Sequence, residues 1–261
     1  MFPALENRFL FRPTRAADEW LPPPDPRVQD VTWQLPAGPR VHAWWCPTPD
    51  WTPSHGALLY FHGNGGNLSH RGDGITRWQQ ELGAAVLIVD YPGYGRSTGR
   101  PSEAGCYAAA LAAHDWLTGT PRVPADRILL YGGSLGCAVA IDLATRLDQR
   151  AMVVVSPFTS LRDMAKRLFP LLPRRLVGNR FDNLAKIGHC RRPVFIAHGT
   201  ADRLVPFAQG QRLFAAAKEP KQFFPMHGYD HVHTPGPEFY EQFRTFLRQT
   251  APAPERAGAA N

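Results

Sequence analysis

Apolar residues in this chain fall into short runs separated by turn-forming clusters. The runs at 57–61, 85–90, 127–131, 151–156 and 194–198 are largely apolar; Ala85-Val86-Leu87-Ile88-Val89 and Ala151-Met152-Val153-Val154-Val155 contain no polar position. Unbroken apolarity over roughly four to eight residues predicts strands covered on both faces, as in a parallel sheet. Two earlier runs, 31–35 and 41–46, alternate more, with Val31, Trp33 and Leu35 on one side, and predict an antiparallel hairpin at the sheet edge. An eighth run lies at 221–225. Helical stretches at 71–83, 102–117, 134–147, 208–217 and 237–248 separate or follow the later strands. This alternation predicts an α/β chain with a mostly parallel eight-stranded sheet and helices on both faces. Ligands of such sheets sit beyond the carboxyl ends of the strands, so the loops that follow strands are where chemistry is sought.

A length of 261 residues suits one α/β domain. Pro22-Pro23-Pro24-Asp25-Pro26 reads as an extended connector, because proline fixes φ and removes donors. The expected organisation is therefore an N-terminal extension and connector over 1–26 and an α/β domain over 27–250. A helical lid is expected at about 158–191. A small, polar, disordered tail is expected over 251–261.

The first chemical signal is Gly132-Gly133-Ser134-Leu135-Gly136, a GxSxG turn between the strand ending at Tyr131 and a helical run starting at Cys137. The glycines allow the tight turn that makes the Ser134 hydroxyl project, and the following helix directs its positive end at the reacting centre. Ser134 is the candidate nucleophile. The second signal is His62-Gly63-Asn64-Gly65-Gly66-Asn67, directly after the strand at 57–61. It offers backbone close to a substrate oxygen, so the amides of Asn64 and Leu135 are the candidate oxyanion hole. His62 reads as a brace for this loop.

A serine hydroxyl needs an adjacent base. In this architecture acid and base follow the nucleophile along the chain. Asp202, in the turn after Val194-Phe195-Ile196-Ala197-His198-Gly199, is the candidate acid; Asp182 and Asp230 are rivals that follow no strand at that remove. The segment Met226-His227-Gly228-Tyr229-Asp230-His231-Val232-His233 offers three imidazoles. His231 is favoured as the base, with His233 and His227 left open. Asp90 and Ser97, in Val89-Asp90-Tyr91-Pro92-Gly93-Tyr94-Gly95-Arg96-Ser97, precede the nucleophile and read as turn and loop residues.

Composition narrows the classes. The four cysteines show no CxxC or CxxH spacing, which argues against zinc and redox motifs; Cys137 reads as a small core residue. The start of the chain carries no uninterrupted apolar run and no stretch is long enough to span a bilayer, so a cytoplasmic location is expected. The net charge is +7, and residues 157–192 hold nine basic and two acidic residues. That lid segment is expected to be a solvated surface, with peripheral contact with anionic substrates or surfaces as the sharper reading. No base-reading motif accompanies the charge, so no nucleic-acid partner is expected. No metal or organic cofactor is called for.

Taken in order, the HGNGGN loop, the DYPGYGRS turn, GGSLG, HGTADRLVP and GYDHVH resemble the motifs of the α/β-hydrolase superfamily. With Ser156-Pro157-Phe158-Thr159-Ser160-Leu161 and Phe181-Asp182-Asn183-Leu184, the chain is similar to the compact, small-lid subgroup that includes protein depalmitoylases and many bacterial hydrolases. The base loop departs from the Gly-x-His-Asn common there, and the cysteine-rich amino-terminal tail of depalmitoylases is absent. The resemblance implies a serine hydrolase acting on a small-molecule or acylated substrate, with an ester or thioester expected. An aminopeptidase or amidase on the same residues, or a non-catalytic binding protein on this fold, are the alternatives.

Overall fold

The computed structural model describes residues 11–168, 180–231 and 235–251. Residues 252–261 of the expected tail and the middle of the expected lid, 169–179, lie outside these residues. The strands are β1 (Arg12–Pro13), β2 (Gln29–Gln34), β3 (Arg40–Cys46), β4 (Ala57–Phe61), β5 (Gly65–Gly66), β6 (Ala85–Val89), β7 (Ile128–Gly133), β8 (Ala151–Val155), β9 (Val194–Gly199) and β10 (Lys221–Met226). The helices are α1 (Gly72–Leu82), α2 (Glu103–Gly119), α3 (Leu135–Arg146), α4 (Leu161–Leu168), α5 (Asn183–Ile187), α6 (Phe207–Ala216) and α7 (Pro237–Gln249).

Eight strands form one sheet in the order β10-β9-β8-β7-β4-β6-β3-β2. Only β3 runs against its neighbours, so the expected edge hairpin is β2 with β3 on a parallel sheet. The apolar strands are covered on both sides because alternate residues feed two cores. Leu59, Phe61, Leu87 and Val89 face the layer containing α2 and α3. Leu58, Tyr60, Val86 and Ile88 face the layer of α1 and α7, where Trp78, Phe239 and Phe243 pack. Trp44 and Trp45, adjacent in β3, point to opposite layers for the same reason.

The chain leaves β4 for β6 on one side and then returns to set β7 on the other. The mouths of β4 and β7 therefore adjoin at a switch in winding direction, where crevices open in this architecture. Helix α3 follows β7 and is buried along residues 135–144. The described parts of the lid are α4 and α5, whose Met164 and Ile187 join the core. Residues 11–20, within the expected N-terminal extension, pack onto the domain through Phe11 and Trp20. Strand β1 pairs with β5, inside the loop after β4, and Thr14 and Ala16 exchange backbone hydrogen bonds with Gly95 and Gly66.

Candidate active site

Ser134 sits between the end of β7 and the first turn of α3, with φ 52° and ψ −111°. A non-glycine residue in this region costs about 1–3 kcal/mol and is kept only where its surroundings over-determine it. Here they do. The Ser134 amide donates to the carbonyl of Val155 at 3.0 Å, and its carbonyl accepts from the amide of Cys137 at 3.0 Å. Gly132 and Gly136 are forced: a Cβ on the first would lie 2.7 Å from Cα of Cys137, and one on the second would overlap the carbonyl of Phe61. Cys137 is the buried core residue expected; its thiol donates to the carbonyls of Gly132 and Val155, and burial pushes its pKa well up.

The loop after β10 brings His231 over this turn. Its Nε2 is 2.9 Å from the Ser134 hydroxyl oxygen, and its Nδ1 is 2.8 Å from Asp202 Oδ2. In the neutral imidazole, Nδ1–H donates to Asp202 and Nε2 accepts from the serine. Asp202 follows β9, and its side chain is fully buried. Its Oδ1 accepts the amides of Leu204 at 2.9 Å and Val205 at 2.8 Å. Burial opposes the charge on Asp202, but hydrogen bonds from His198, His231 and the Val205 amide outweigh it and hold the carboxyl well below the usual range.

Asn64 lies on the loop between β4 and β5, next to Gly63, which lies so near the serine that a Cβ there would be 3.6 Å from that of Ser134. Leu135 is the first residue of α3, where amides lack intrahelical partners. Asn64 is held by its neighbours: Oδ1 accepts the amide of Arg12 at 3.2 Å and the hydroxyl of Tyr94 at 2.9 Å, and its carbonyl accepts the same hydroxyl at 3.0 Å. His62 braces the loop by donating from Nδ1 to the carbonyl of Gly63 at 2.7 Å.

Asp90 does more than form a turn. Its carboxylate is fully buried, 3.2 Å from His62 Nε2, and accepts the amide of Leu68 at 2.9 Å, so it ties two loops together. Ser97 is a buried loop residue bonded to the carbonyl of Asp90 and the amide of His42. Of the rivals for the acid, Asp182 caps α5 by accepting the amide of Ala185. Asp230 accepts the amides of Arg203 and His231 and the Arg203 guanidinium, which hold its pKa down at about 2. Of the rivals for the base, His227 is exposed and His233 lies outside the described residues. Among the described residues, no group of three or more His, Cys, Asp or Glu side chains is placed to hold a metal ion, and no helix is long and apolar enough to cross a membrane.

The family model described as the alpha/beta hydrolase fold matches residues 56–186. The chain belongs to that family. Among relatives of this α/β hydrolase, the uncharacterised protein Rv2307c of Mycobacterium tuberculosis is 37% identical over 230 residues, covering 87% of this chain and 81% of its own. The lysophosphatidylserine lipase ABHD12 of Mus musculus is 33% identical over 231 residues, 76% of this chain but 57% of that longer protein. In three dimensions the hydrolase resembles esterase Pf2001 of Pyrococcus furiosus, with a TM-score of 0.73 at 21% identity over 92% of this chain and 99% of that one. That likeness speaks for the fold.

Residues to which the sequence reading gave no role also crowd the site of this hydrolase. His198 reaches Asp202, and Arg12 and Tyr94 hold Asn64. The His198–Asp202 spacing of four residues across a strand end was a usable signal; no local pattern announced Arg12, whose partner lies 52 residues away.

Proposed function

We propose that this chain is a serine hydrolase that cleaves carboxylic esters or thioesters through an acyl-enzyme on Ser134. The observation that carries the reading is the unbroken relay from the Ser134 hydroxyl through both nitrogens of His231 to the buried carboxylate of Asp202. A hydroxyl presented on a strained turn, already hydrogen-bonded to an oriented imidazole, is what nucleophilic attack on a carbonyl requires.

In this mechanism Ser134 Oγ attacks the carbonyl carbon while Nε2 of His231 takes its proton. Asp202 keeps the imidazole in the correct tautomer and stabilises the imidazolium. The amides of Asn64 and Leu135 receive the oxyanion; a donor of this kind contributes roughly 2.7–4 kcal/mol of transition-state stabilisation. His231 then protonates the leaving alcohol or thiol. Water, deprotonated by the same imidazole, attacks the acyl-enzyme, and Ser134 leaves with the proton restored. The surplus of basic residues over 157–192, including the exposed Lys166 and Arg167 on α4, favours substrates or surfaces that carry negative charge.

Labelling by a fluorophosphonate probe tests the reading. Wild type is expected to label and Ser134→Ala not to; an unlabelled wild type would identify a binding protein on this fold. A panel of p-nitrophenyl esters from acetyl to palmitoyl, with acyl thioesters and aminoacyl anilides beside them, then ranks the bond cleaved. Turnover of anilides alone would overturn the ester assignment.

A further inference from the structure

We infer that His198 is a positioning residue that fixes the Asp202 carboxylate and moderates its hold on His231. The inference rests on Asp202 and His231 acting as proposed above. Asp202 Oδ1 is occupied by two backbone amides. Oδ2, the oxygen that receives His231 Nδ1, also lies 3.3 Å from Nε2 of His198, and both the His198 and Asp202 side chains are fully buried. The same Nε2 lies 2.9 Å from the carbonyl oxygen of Val205. An imidazole nitrogen facing a carbonyl and a carboxylate must carry the proton, so His198 donates from Nε2 to the Val205 carbonyl and holds the same N–H edge 3.3 Å from Asp202 Oδ2.

The other edge of the ring fixes the tautomer. His198 Nδ1 is buried without a hydrogen-bond partner and lies against Gly210 of α6, where a Cβ would overlap Nδ1 and stand 3.0 Å from Cγ. A hydrogen there would be unsatisfied, so the tautomer this geometry favours carries it on Nε2. Phe207 packs edge-on at 5.8 Å between centroids and closes the remaining side. The ring is thus held by α6, and its single donor points at the junction of Val205 and Asp202.

A role in packing alone would require the Val205 bond and no more. The approach to Oδ2 has a chemical consequence, because the positive edge of a second imidazole N–H then lies beside the oxygen that receives His231. Removing the His198 donor leaves more of the Asp202 charge for His231, which stabilises the imidazolium and makes the base titrate at higher pH. Among the described residues, the titratable and charged groups around the pair are Asp202 and Ser134 on either side of His231, and Asp230 with Arg203 and Arg167 at the rim; α6 presents the uncharged Phe207 and Gly210 to His198.

His198→Phe keeps a ring and removes the donor. His198→Gln can return an amide N–H to the Nε2 position. Imidazole titration of His231 by NMR is the primary readout, beside kcat, KM and the pH profile on an ester that wild type hydrolyses. In His198→Phe the His231 midpoint is expected to rise by about half a pH unit or more. The acid limb of kcat/KM should move the same way, and kcat should fall about tenfold with KM little changed. His198→Gln should restore each toward wild type. If His198→Phe does not fold, Gly210→Ala, which crowds the ring from behind, is measured instead and must also move the His231 midpoint. A His231 midpoint unchanged in the variant, whatever its melting temperature, overturns the inference. The NMR titration needs no turnover, so a wild type that hydrolyses nothing would sink the hydrolase reading and leave this one to its own result.

Discussion

Gly136 of α3 packs so closely on β4 that a Cβ at this position would overlap the carbonyl oxygen of Phe61. The contact presses the start of α3 against the strand that carries the Asn64 loop, and it aligns the two sides of the site. Gly136→Ala is expected to destabilise the fold by about 1–3 kcal/mol, the usual cost of overpacking. It should also slow fluorophosphonate labelling, because the turn holding Ser134 must shift. Urea unfolding and labelling rates check both; an Ala variant as stable and reactive as wild type would mean that the helix start has room to adjust.

Ser134, His231 and Asp202 should fail as a unit. Ser134→Ala or His231→Ala alone is expected to lower kcat by roughly a thousandfold or more, and the double variant should be little worse than either single one. Asp202→Asn should lower kcat by a comparable order, roughly 10⁴-fold, because it presents the wrong hydrogen-bonding pattern to Nδ1. Steady-state kinetics on one ester measure all four. Multiplicative losses in the double variant would show that the groups act independently.

Asp230 and Arg203 separate a backbone brace from a surface ion pair. The Arg203 side chain is 89% exposed, whereas Asp230 Oδ1 accepts the amides of both Arg203 and His231. Arg203→Ala is expected to change stability by less than about 0.5 kcal/mol. Asp230→Ala, which releases the backbone of the base, should reduce kcat several-fold. Equal effects from the two variants would assign the brace to the ion pair.

Acid stability should report on Asp202. Its folded pKa is depressed, so its contribution is fully present above the ordinary carboxylate value of about 3.9 and is lost as pH falls from there toward the folded value. Unfolding free energy of wild type should therefore fall on acidification below about pH 4, and Asp202→Asn should flatten that slope. Denaturant titrations at stepped pH supply the measurement, and an unchanged slope would place the acid sensitivity elsewhere.

All four cysteines are free and buried, and burial pushes every thiol pKa upward. An aromatic disulfide reagent at neutral pH is expected to find almost no fast-reacting thiol in the native protein and four in guanidinium. A fast native thiol would show that one of these core sites opens readily.

Much of the sheet was legible because burial on both faces writes itself as unbroken apolar runs: Ala57–Phe61 is a strand over the residues expected, and most other strands differ by one or two at an end. Ser134 was legible because its turn demands glycines in sequence. Helices α4 and α5 were not singled out, since short basic segments such as Leu161–Leu168 read equally well as solvated lid. The two-residue strands β1 and β5 are too short for any periodicity. Asp90 looked like a turn former because its local sequence says so; its partners, His62 and the amide of Leu68, come from another loop. Among the three histidines after β10, nothing local separates one from another. Placing His231 beside Ser134 takes a contact 97 residues apart in the chain.

The pairing of Arg12–Pro13 with Gly65–Gly66 has a practical bearing. The family match begins at residue 56, so a boundary drawn there would discard the stretch that grips the glycine loop. A protein trimmed in that way would keep its serine and the parallel strands from β4 onward, yet lose the β2–β3 edge hairpin and the backstop behind Asn64. Fusion partners and protease sites near this end should be placed with that loop in mind.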